Sequence, residues 1–322
     1  MMGALISFLW LEFLHFLYGF VFAPFGFGAE PSYGFLIALL RGAPIVSPSK
    51  EALLYAGPLP IIGISGLVVP ILIYFLIRKQ KDENLKRVKM ILGIIATTIL
   101  VLSIFLHPIL EPIMYDALDN NNFPLAIGLG YLIHRDFPIF PILSFAVYGS
   151  ILGLSLAKGE DKPKIAKLWL RFAAIIILSG VVFLVISLSF GFYAWNFVRF
   201  IQLGVYFLIL VALLSAIDFK HEDKQKKILE RYTPVMWFGR TSLTILVLEV
   251  PLAEIFRLIL SLIYPGWVND LFTCVLFGLF NLVMWGIILF LWEKIKFKGS
   301  LEWLGAQLVK KASRTTTKSK AK

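Results

Sequence analysis

Residues 66–89 read GLVVPILIYFLIRKQKDENLKRVK and contain the clearest change of polarity in the chain. An uncharged, mostly apolar run ends at Ile77, a basic stretch follows, and a second apolar run begins directly behind it. At about 1.5 Å per residue, roughly twenty apolar residues in a helix cross the roughly 30 Å of hydrocarbon in a bilayer. The stretch therefore predicts two membrane-spanning helices joined by a short basic loop that leaves little room for a folded domain.

The composition of the whole chain agrees with this local pattern. Of 322 residues, 59% are hydrophobic and only 16% are charged, and the mean hydropathy is +0.83. These values exclude an ordinary water-soluble core, and the long apolar runs exclude disorder, collagen-like repeats and coiled coils for nearly the whole chain. Cys274 is the only cysteine, so neither an intrachain disulfide nor a cysteine metal cluster is expected. The expected fold class is all-α, a polytopic integral membrane helix bundle.

Eight apolar runs are long enough to cross the membrane. They cover residues 3–23, 53–77, 88–109, 137–157, 168–190, 196–217, 234–262 and 270–293. Two shorter apolar segments, 35–40 and 124–133, are expected to form interfacial or re-entrant helices on one side of the membrane. The sequence thus predicts about eight transmembrane helices in one membrane domain over 1–298, followed by a basic, disordered cytoplasmic tail over 299–322.

Lysine and arginine are distributed unevenly among the connecting loops. Loops 78–89, 158–171 and 218–233 carry six, five and five of them, whereas 24–52 carries two and 110–136 carries one. By the positive-inside rule, both termini lie in the cytoplasm of a multi-pass cell-membrane protein, with the lipid bilayer as its first partner. Because basic loops and the tail account for the net charge of +11, that charge does not indicate a nucleic-acid partner.

The first span carries two ionisable residues near mid-depth. Glu12 and His15 are three residues apart and share one helical face, about 14 and 18 Å from the inner end. A carboxylate beside an imidazole orients its tautomer and raises its basicity, as a general base requires. His15 is therefore the sharpest candidate for catalysis, with Glu12 as its orienter. The alternative is structural: a buried histidine that links helices by a hydrogen bond, with Glu12 as its partner.

Other polar residues are candidates for substrate binding. Glu249, just before the helix-loosening Pro251, and Asn281 lie at a similar depth in the last two spans. They complete a mid-depth polar site or form a neutral packing contact. His107 and Arg199 lie near the outer ends of their spans, where they line a pocket for a polar substrate or act as interfacial anchors.

The start of the seventh span contains GRTSLT, in which Arg240 and Ser242 are candidates for binding the phosphates of a cofactor. The alternative for Arg240 is a positive-inside anchor. Glu254 and Arg257 are spaced for a local ion pair with a structural role. The segment HRD at 134–136 is a further candidate for the outer pocket.

Several familiar motifs are missing from the sequence. It contains no Walker loop, no GxSxG, no HExxH and no regular spacing of carboxylates for a di-metal site. An ATP-driven pump and a zinc protease are therefore not supported, and no metal cofactor is expected. No span carries the repeated arginines of a voltage sensor, and the two halves show no duplication of transporter type.

The seventh span and its approach, RYTPVMWFGRTSLTILVLEVPL at 231–252, resembles a late signature of polytopic acyltransferases. These are the heparan-alpha-glucosaminide N-acetyltransferase-like proteins and their acyltransferase-3 relatives. The similarity covers most of residues 3–262. Four other stretches agree in order: GALISFLWLEFLHFLYGF at 3–20, LPIIGISGLVVPILIYFLIRK at 59–79, DFPIFPILSFAVYGSILGLSLAKG at 136–159 and FVRFIQLGVYFLILVALL at 197–214.

The resemblance implies transfer of an acyl group, typically acetyl, from cytosolic acyl-CoA to a hydroxyl or amine of a sugar or lipid-linked acceptor. His15 falls on the family's first-helix histidine and would act as general base or transient acyl carrier. Arg240 falls on the signature arginine and, with Ser242 and the inner basic loops, would contact the CoA phosphates. Acetyl-CoA is then a donor substrate, and no metal is needed.

Two features differ from the family pattern. The Asp and Arg-Gly that precede its first helix are missing, and Glu249 stands where relatives commonly have His. The first difference leaves open an overlooked upstream start or the loss of part of the site. Two alternatives to an enzyme therefore remain: a carrier of a small polar solute or lipid headgroup, and a degenerate family member that serves as a membrane partner. A homodimer is compatible with all three.

Overall fold

A computed structural model describes residues 2–22, 34–42, 50, 57–78, 85–133, 137–190, 195–264 and 270–320. Within these residues the chain forms helices and no strand, as the hydrophobic pattern predicts. Their length and composition are compatible with a helical membrane bundle. Seven of the described helices are long and apolar enough to cross a membrane: Met2–Val21, Pro58–Arg78, Leu85–Asp119, Ile139–Ala157, Lys162–Leu188, Phe197–Ala216 and Leu271–Glu293.

The helices group into two compact units, and the single membrane domain expected over 1–298 stays a prediction. The first unit is Leu53–Ile228, and the second combines Met2–Ala52 with Leu229–Lys322. The sequence alone does not reveal this division, because it depends on which distant helices pack together.

The first unit contains five helices of 19 to 35 residues and one shorter helix. They are α3 Pro58–Arg78, α4 Leu85–Asp119, α5 Phe123–Ile133, α6 Ile139–Ala157, α7 Lys162–Phe190 and α8 Trp195–Ala216, and α9 Glu222–Arg231 follows. α4 packs on α6, and α7 pairs with α8 along most of its length. The core between them is apolar, with Leu92, Ala173 and Leu203 fully buried. Aromatic rings fill its centre, where Trp169 stacks on Phe207 with ring centroids 4.6 Å apart.

Helix α4 is longer than the sequence predicts. An outer loop is expected from residue 110, whereas the helix continues to Asp119, so its 35 residues extend about 52 Å. Its final turns are kept helical because they bury Met114 and Leu118 against α5. The expected short helix at 124–133 is confirmed as a helix, while its placement in the membrane remains a prediction. Asn121, at φ 58°, turns the chain between α4 and α5.

The second unit contains both ends of the described chain. Its helices are α1 Met2–Leu17, a π-helical turn at Tyr18–Phe22, α2 Phe35–Arg41, α10 Thr233–Arg240, α11 Ser242–Ile263, α12 Leu271–Glu293 and α13 Leu301–Lys320. The short helix predicted at 35–40 is thus confirmed as α2, with its relation to the membrane still a prediction. The predicted span at 234–262 is divided into α10 and α11, which meet at Thr241.

Residues Leu301–Lys320 form a helix, whereas the polar composition of 299–322 predicts a disordered tail. α13 packs against α1, which shields part of its backbone and side chains from solvent. A Cβ at Gly305 would lie 3.1 Å from the indole of Trp10, and one at Gly3 would lie 3.3 Å from Val309. Small residues on both helices therefore permit a close approach that composition alone does not show.

Candidate functional site

His15 lies in the interior of the second unit. It occupies the last turn of α1 and is 5% exposed, and its neighbour Leu14 is 1% exposed. Glu12, one turn earlier, is half-buried, and its Oε1 atom is shielded from solvent. The structure therefore places these two residues on the same buried part of α1, as their spacing predicts. Their assignment to catalysis remains a prediction.

The π-helical turn that follows α1 brings its residues towards α11. This turn contacts both α11 and α2. Tyr18 is the first residue of the turn, and Glu249 lies on α11. Because Tyr18 is three residues after His15, the phenol and the imidazole lie on one side of the opening helix. π-helical turns often occur at functional sites because they redirect side chains. Sequence reasoning did not identify Tyr18, and its position three residues after His15 was the available signal.

Asn281 has a different environment from the one expected of a shared site. It is half-buried on α12, and its side-chain amide donates a hydrogen bond of 2.9 Å to the carbonyl of Phe277 in the same helix. This bond stabilises the amide within α12. The predicted contact between Asn281 and Glu249 does not appear among the described hydrogen bonds.

Arg240 and Ser242 lie at the junction of α10 and α11. Both are exposed, while Thr241 between them is fully buried and donates its hydroxyl hydrogen to the carbonyl of Trp237 at 2.8 Å. The two candidate cofactor-binding residues are thus accessible to a ligand. The buried threonine holds the backbone at the break, which the sequence pattern of one continuous span does not predict.

The beginning of α11 is already occupied by an anionic side chain of α13. Glu302 accepts hydrogen bonds from the backbone amides of Leu243 and Thr244 at 2.6 and 3.0 Å, and from the Thr244 hydroxyl at 2.6 Å. The Thr244 hydroxyl in turn accepts from the amide of Leu301 at 2.8 Å. A carboxylate satisfies the free amides of a helix N-terminus and its positive dipole end. These two backbone amides are therefore already bound to Glu302.

Three charged residues of the second unit, which we call the arginine clamp, form a network. They are Arg41 at the end of α2, and Glu254 and Arg257 on α11. Glu254 is 5% exposed, and the predicted pair with Arg257 is confirmed at 2.6 Å. Arg41 adds a second guanidinium, with Nε 2.9 Å from Oε1 and Nη2 2.8 Å from Oε2. The sequence did not reveal Arg41, whose position at the end of a short apolar helix was the only signal.

His107 and Arg199 belong to the first unit, whereas His15 belongs to the second. His107 is buried, with Nδ1 3.6 Å from a carboxylate oxygen of Glu111 one turn later. Arg199 is also buried and donates a hydrogen bond of 2.8 Å to Gln202. Burial argues against simple interfacial anchors, which expose their charged ends to water.

The helix register places these residues at one level of the first unit. The hydroxyls of Thr97 on α4 and Tyr148 on α6 are 2.7 Å apart, and the ring of Tyr148 lies 6.5 Å from that of Phe207 on α8. Arg199 comes eight residues before Phe207, about 12 Å along α8. His107 comes ten residues after Thr97, about 15 Å along α4 towards the same end.

Two serines lie between the Thr97–Tyr148 contact and these residues, about 9 Å along α4 for Ser103 and about 6 Å along α6 for Ser144. We call the four residues the polar layer of the first unit. It consists of Ser103, His107, Ser144 and Arg199, all of them buried. Ser144 has no hydrogen-bond partner among the described residues. Four buried polar side chains from α4, α6 and α8, spread over about 9 Å of helix length, give this end of the bundle a polar interior. The further candidates at 134–136 lie outside the described residues.

No group of three or more histidine, cysteine or acidic side chains among the described residues is arranged to hold a metal ion. Comparisons of the chain with protein-family models, with curated proteins and with solved structures give no match. The chemistry of the described side chains therefore carries the functional argument.

Proposed function

We propose that this chain is a membrane-embedded acyltransferase. It moves an acyl group, typically acetyl, from cytosolic acyl-CoA to a hydroxyl or amine of a sugar or lipid-linked acceptor. The observation that carries the proposal is the burial of His15 just before a π-helical turn that contacts α11, the helix that carries Glu249. The resemblance of 231–252 to the acyltransferase signature supports the same activity.

His15 acts in this proposal as the general base. Its neutral imidazole accepts the proton of the acceptor hydroxyl or amine while the acceptor atom attacks the thioester carbonyl. The carbon–sulfur bond then breaks, and the CoA thiolate takes the proton from the imidazolium. Glu12 orients the ring and stabilises its positive charge. In a variant of the same mechanism, His15 carries the acyl group transiently before the acceptor attacks.

Acyl-CoA approaches from the basic cytoplasmic side. Arg240 and Ser242 are exposed at the start of α11, where a guanidinium and a hydroxyl suit a phosphate. Glu249 and Asn281 bind the acceptor within the bilayer. His107 and Arg199, in the first unit, are proposed separately as substrate-binding residues near the outer ends of their predicted spans.

The proposed protein crosses the cell membrane eight times, with both termini in the cytoplasm. α11 provides the eighth crossing, because its 22 residues extend about 33 Å. Its middle carries three charged residues, Glu249, Glu254 and Arg257. Pairing in the arginine clamp lowers the cost of burying two of these charges.

A labelled-donor assay tests the proposed activity. Purified full-length protein in detergent is incubated with radiolabelled acetyl-CoA and sugar or glycolipid acceptors. We expect labelled product or labelled protein from the wild type and neither from His15→Ala. The matched control is His221→Ala, because His221 is exposed in a basic cytoplasmic loop. Wild-type labelling that persists in His15→Ala would remove His15 from the mechanism, and absence of any labelling would contradict the activity.

A second candidate function is favoured by the polar layer of the first unit. Four buried polar side chains towards one end of a membrane bundle suit the passage of a small polar solute or lipid headgroup without covalent chemistry. Solute flux into proteoliposomes without any acyl donor would support this carrier function. Flux that is unchanged in Ser144→Ala and His107→Ala would argue against passage through the layer.

A further inference from the structure

The arginine clamp carries an excess of positive charge. It combines one carboxylate with two guanidiniums, so its ionised side chains sum to +1. Glu254 accepts four hydrogen bonds, two from Arg41 and two from Arg257, and its side chain is only 6% exposed. These donors occupy both oxygens of the carboxylate. The carboxylate therefore holds the two guanidiniums in place and is not accessible to a ligand.

The guanidiniums of Arg41 and Arg257 are accessible to solvent, whereas the carboxylate of Glu254 is buried. The side chains of Arg41 and Arg257 are 33% and 36% exposed. Arg257 uses its Nε and Nη2 atoms on Glu254, and no acceptor among the described residues receives a hydrogen bond from its Nη1. The Nη1–Nη2 edge thus presents N–H groups in the planar fork that binds the oxygens of phosphate in pairs.

We propose that the arginine clamp binds a phosphate oxyanion. Glu254 positions the two guanidiniums, the outward edge of Arg257 donates to the phosphate oxygens, and the exposed part of Arg41 adds positive charge. This site is independent of the proposed acyl transfer, since none of its residues takes part in that reaction.

A membrane lipid is the source that the surroundings favour. Phe35 and Leu39, on the same short helix as Arg41, are exposed apolar side chains that suit contact with acyl chains. A soluble phosphorylated compound offers the same phosphate chemistry without those chains. The test therefore needs competitors of both kinds and a lipid that differs only by the phosphate.

Energy transfer from the protein's tryptophans to phosphatidic acid with a dansyl group on one acyl chain provides the measurement. Full-length protein in detergent micelles is titrated with this lipid. We expect unlabelled phosphatidic acid to displace the probe and diacylglycerol, which lacks the phosphate, to fail. Displacement by glycerol phosphate at similar concentrations would identify a soluble phosphate as the ligand. Equal displacement by diacylglycerol and phosphatidic acid would overturn the proposal.

Variants then locate the site. Arg257→Gln should weaken phosphatidic acid binding about tenfold, because a charge-assisted pair of hydrogen bonds is lost. Arg257→Lys keeps the charge but not the fork, so we expect intermediate binding. Arg171→Gln is the matched control, an exposed arginine of the first unit. Monodisperse elution of each variant establishes folding. Wild-type affinity in Arg257→Gln would overturn the proposal.

Discussion

Gly204→Ala tests the closest helix contact in the first unit. A Cβ at position 204 would lie 2.5 Å from Cγ1 of Ile177 and 2.8 Å from the backbone carbonyl oxygen of Ala173. The isoleucine side chain rotates away, but the carbonyl belongs to the backbone of α7. Restoring an ordinary contact of at least 3.4 Å therefore requires α7 and α8 to separate locally by about 0.6 Å.

The expected magnitude follows from two opposing effects. Overpacking in a close-packed helix interface costs about 1–3 kcal/mol, and the upper half of that range applies because a backbone atom must move. Alanine gains about 1 kcal/mol over glycine in a helix. We therefore expect Gly204→Ala to lower the free energy of unfolding by about 1–2 kcal/mol.

Unfolding by SDS in mixed micelles, followed by circular dichroism, measures this difference. Gly153→Ala is the matched control, because it lies in α6 and a Cβ there meets nothing within 4 Å. The control should leave the free energy of unfolding unchanged or raise it. A Gly204→Ala protein as stable as the wild type would refute the close approach of α7 and α8.

Three further predictions concern charged side chains. Glu302→Ala removes the acceptor at the start of α11, so amide exchange in that first turn should rise about tenfold for a loss of about 1.4 kcal/mol; unchanged exchange would contradict the cap. Glu254→Ala leaves two guanidiniums facing each other and should destabilise the protein by about 3–5 kcal/mol in SDS unfolding, and a neutral effect would count against the clamp. The hydrogen bond from Lys89 holds the pKa of Glu160 below its usual 4.5. The ion pair between Lys89 and Glu160 therefore stabilises the fold above about pH 4.5, and this stabilisation is lost as the pH falls through the lowered pKa of Glu160. Lys89→Gln should reduce the loss of unfolding free energy on acidification, and an identical pH dependence in the variant would exclude the pair.

Membrane helices are predictable from sequence where the signal is local. The apolar run before Arg78 and the basic residues after it predict the end of α3 without any tertiary information. The same holds for the short helices α2 and α5, which are too short to cross but apolar enough to be recognised. Helix α4 extends beyond its predicted end because α5 packs on its last turns.

The candidate site was predictable only in part. The spacing of Glu12 and His15 places both on one face of α1, and the burial of His15 agrees with that expectation. The sequence did not identify Tyr18 or Arg41 as site residues. The π-helical turn with Tyr18 contacts α11 and Arg41 pairs with Glu254 of α11, and α11 lies more than two hundred residues away in the chain. The sequence predicts His107 and Arg199 near the outer ends of their spans, but not that they belong to the first unit while His15 belongs to the second.

The sequence by itself determined the membrane character, the all-helical class and the approximate spans of this protein, because hydrophobic length is a property of consecutive residues. The tertiary structure alone decided three features: the break between α10 and α11 at Thr241, the hydrogen bonds from the first turn of α11 to Glu302 of α13, and the ion pair between Arg41 and Glu254. Each of these depends on helices that are distant in the chain but adjacent in space. A buried polar group must find a partner, and only the packing of helices decides which partner is within reach.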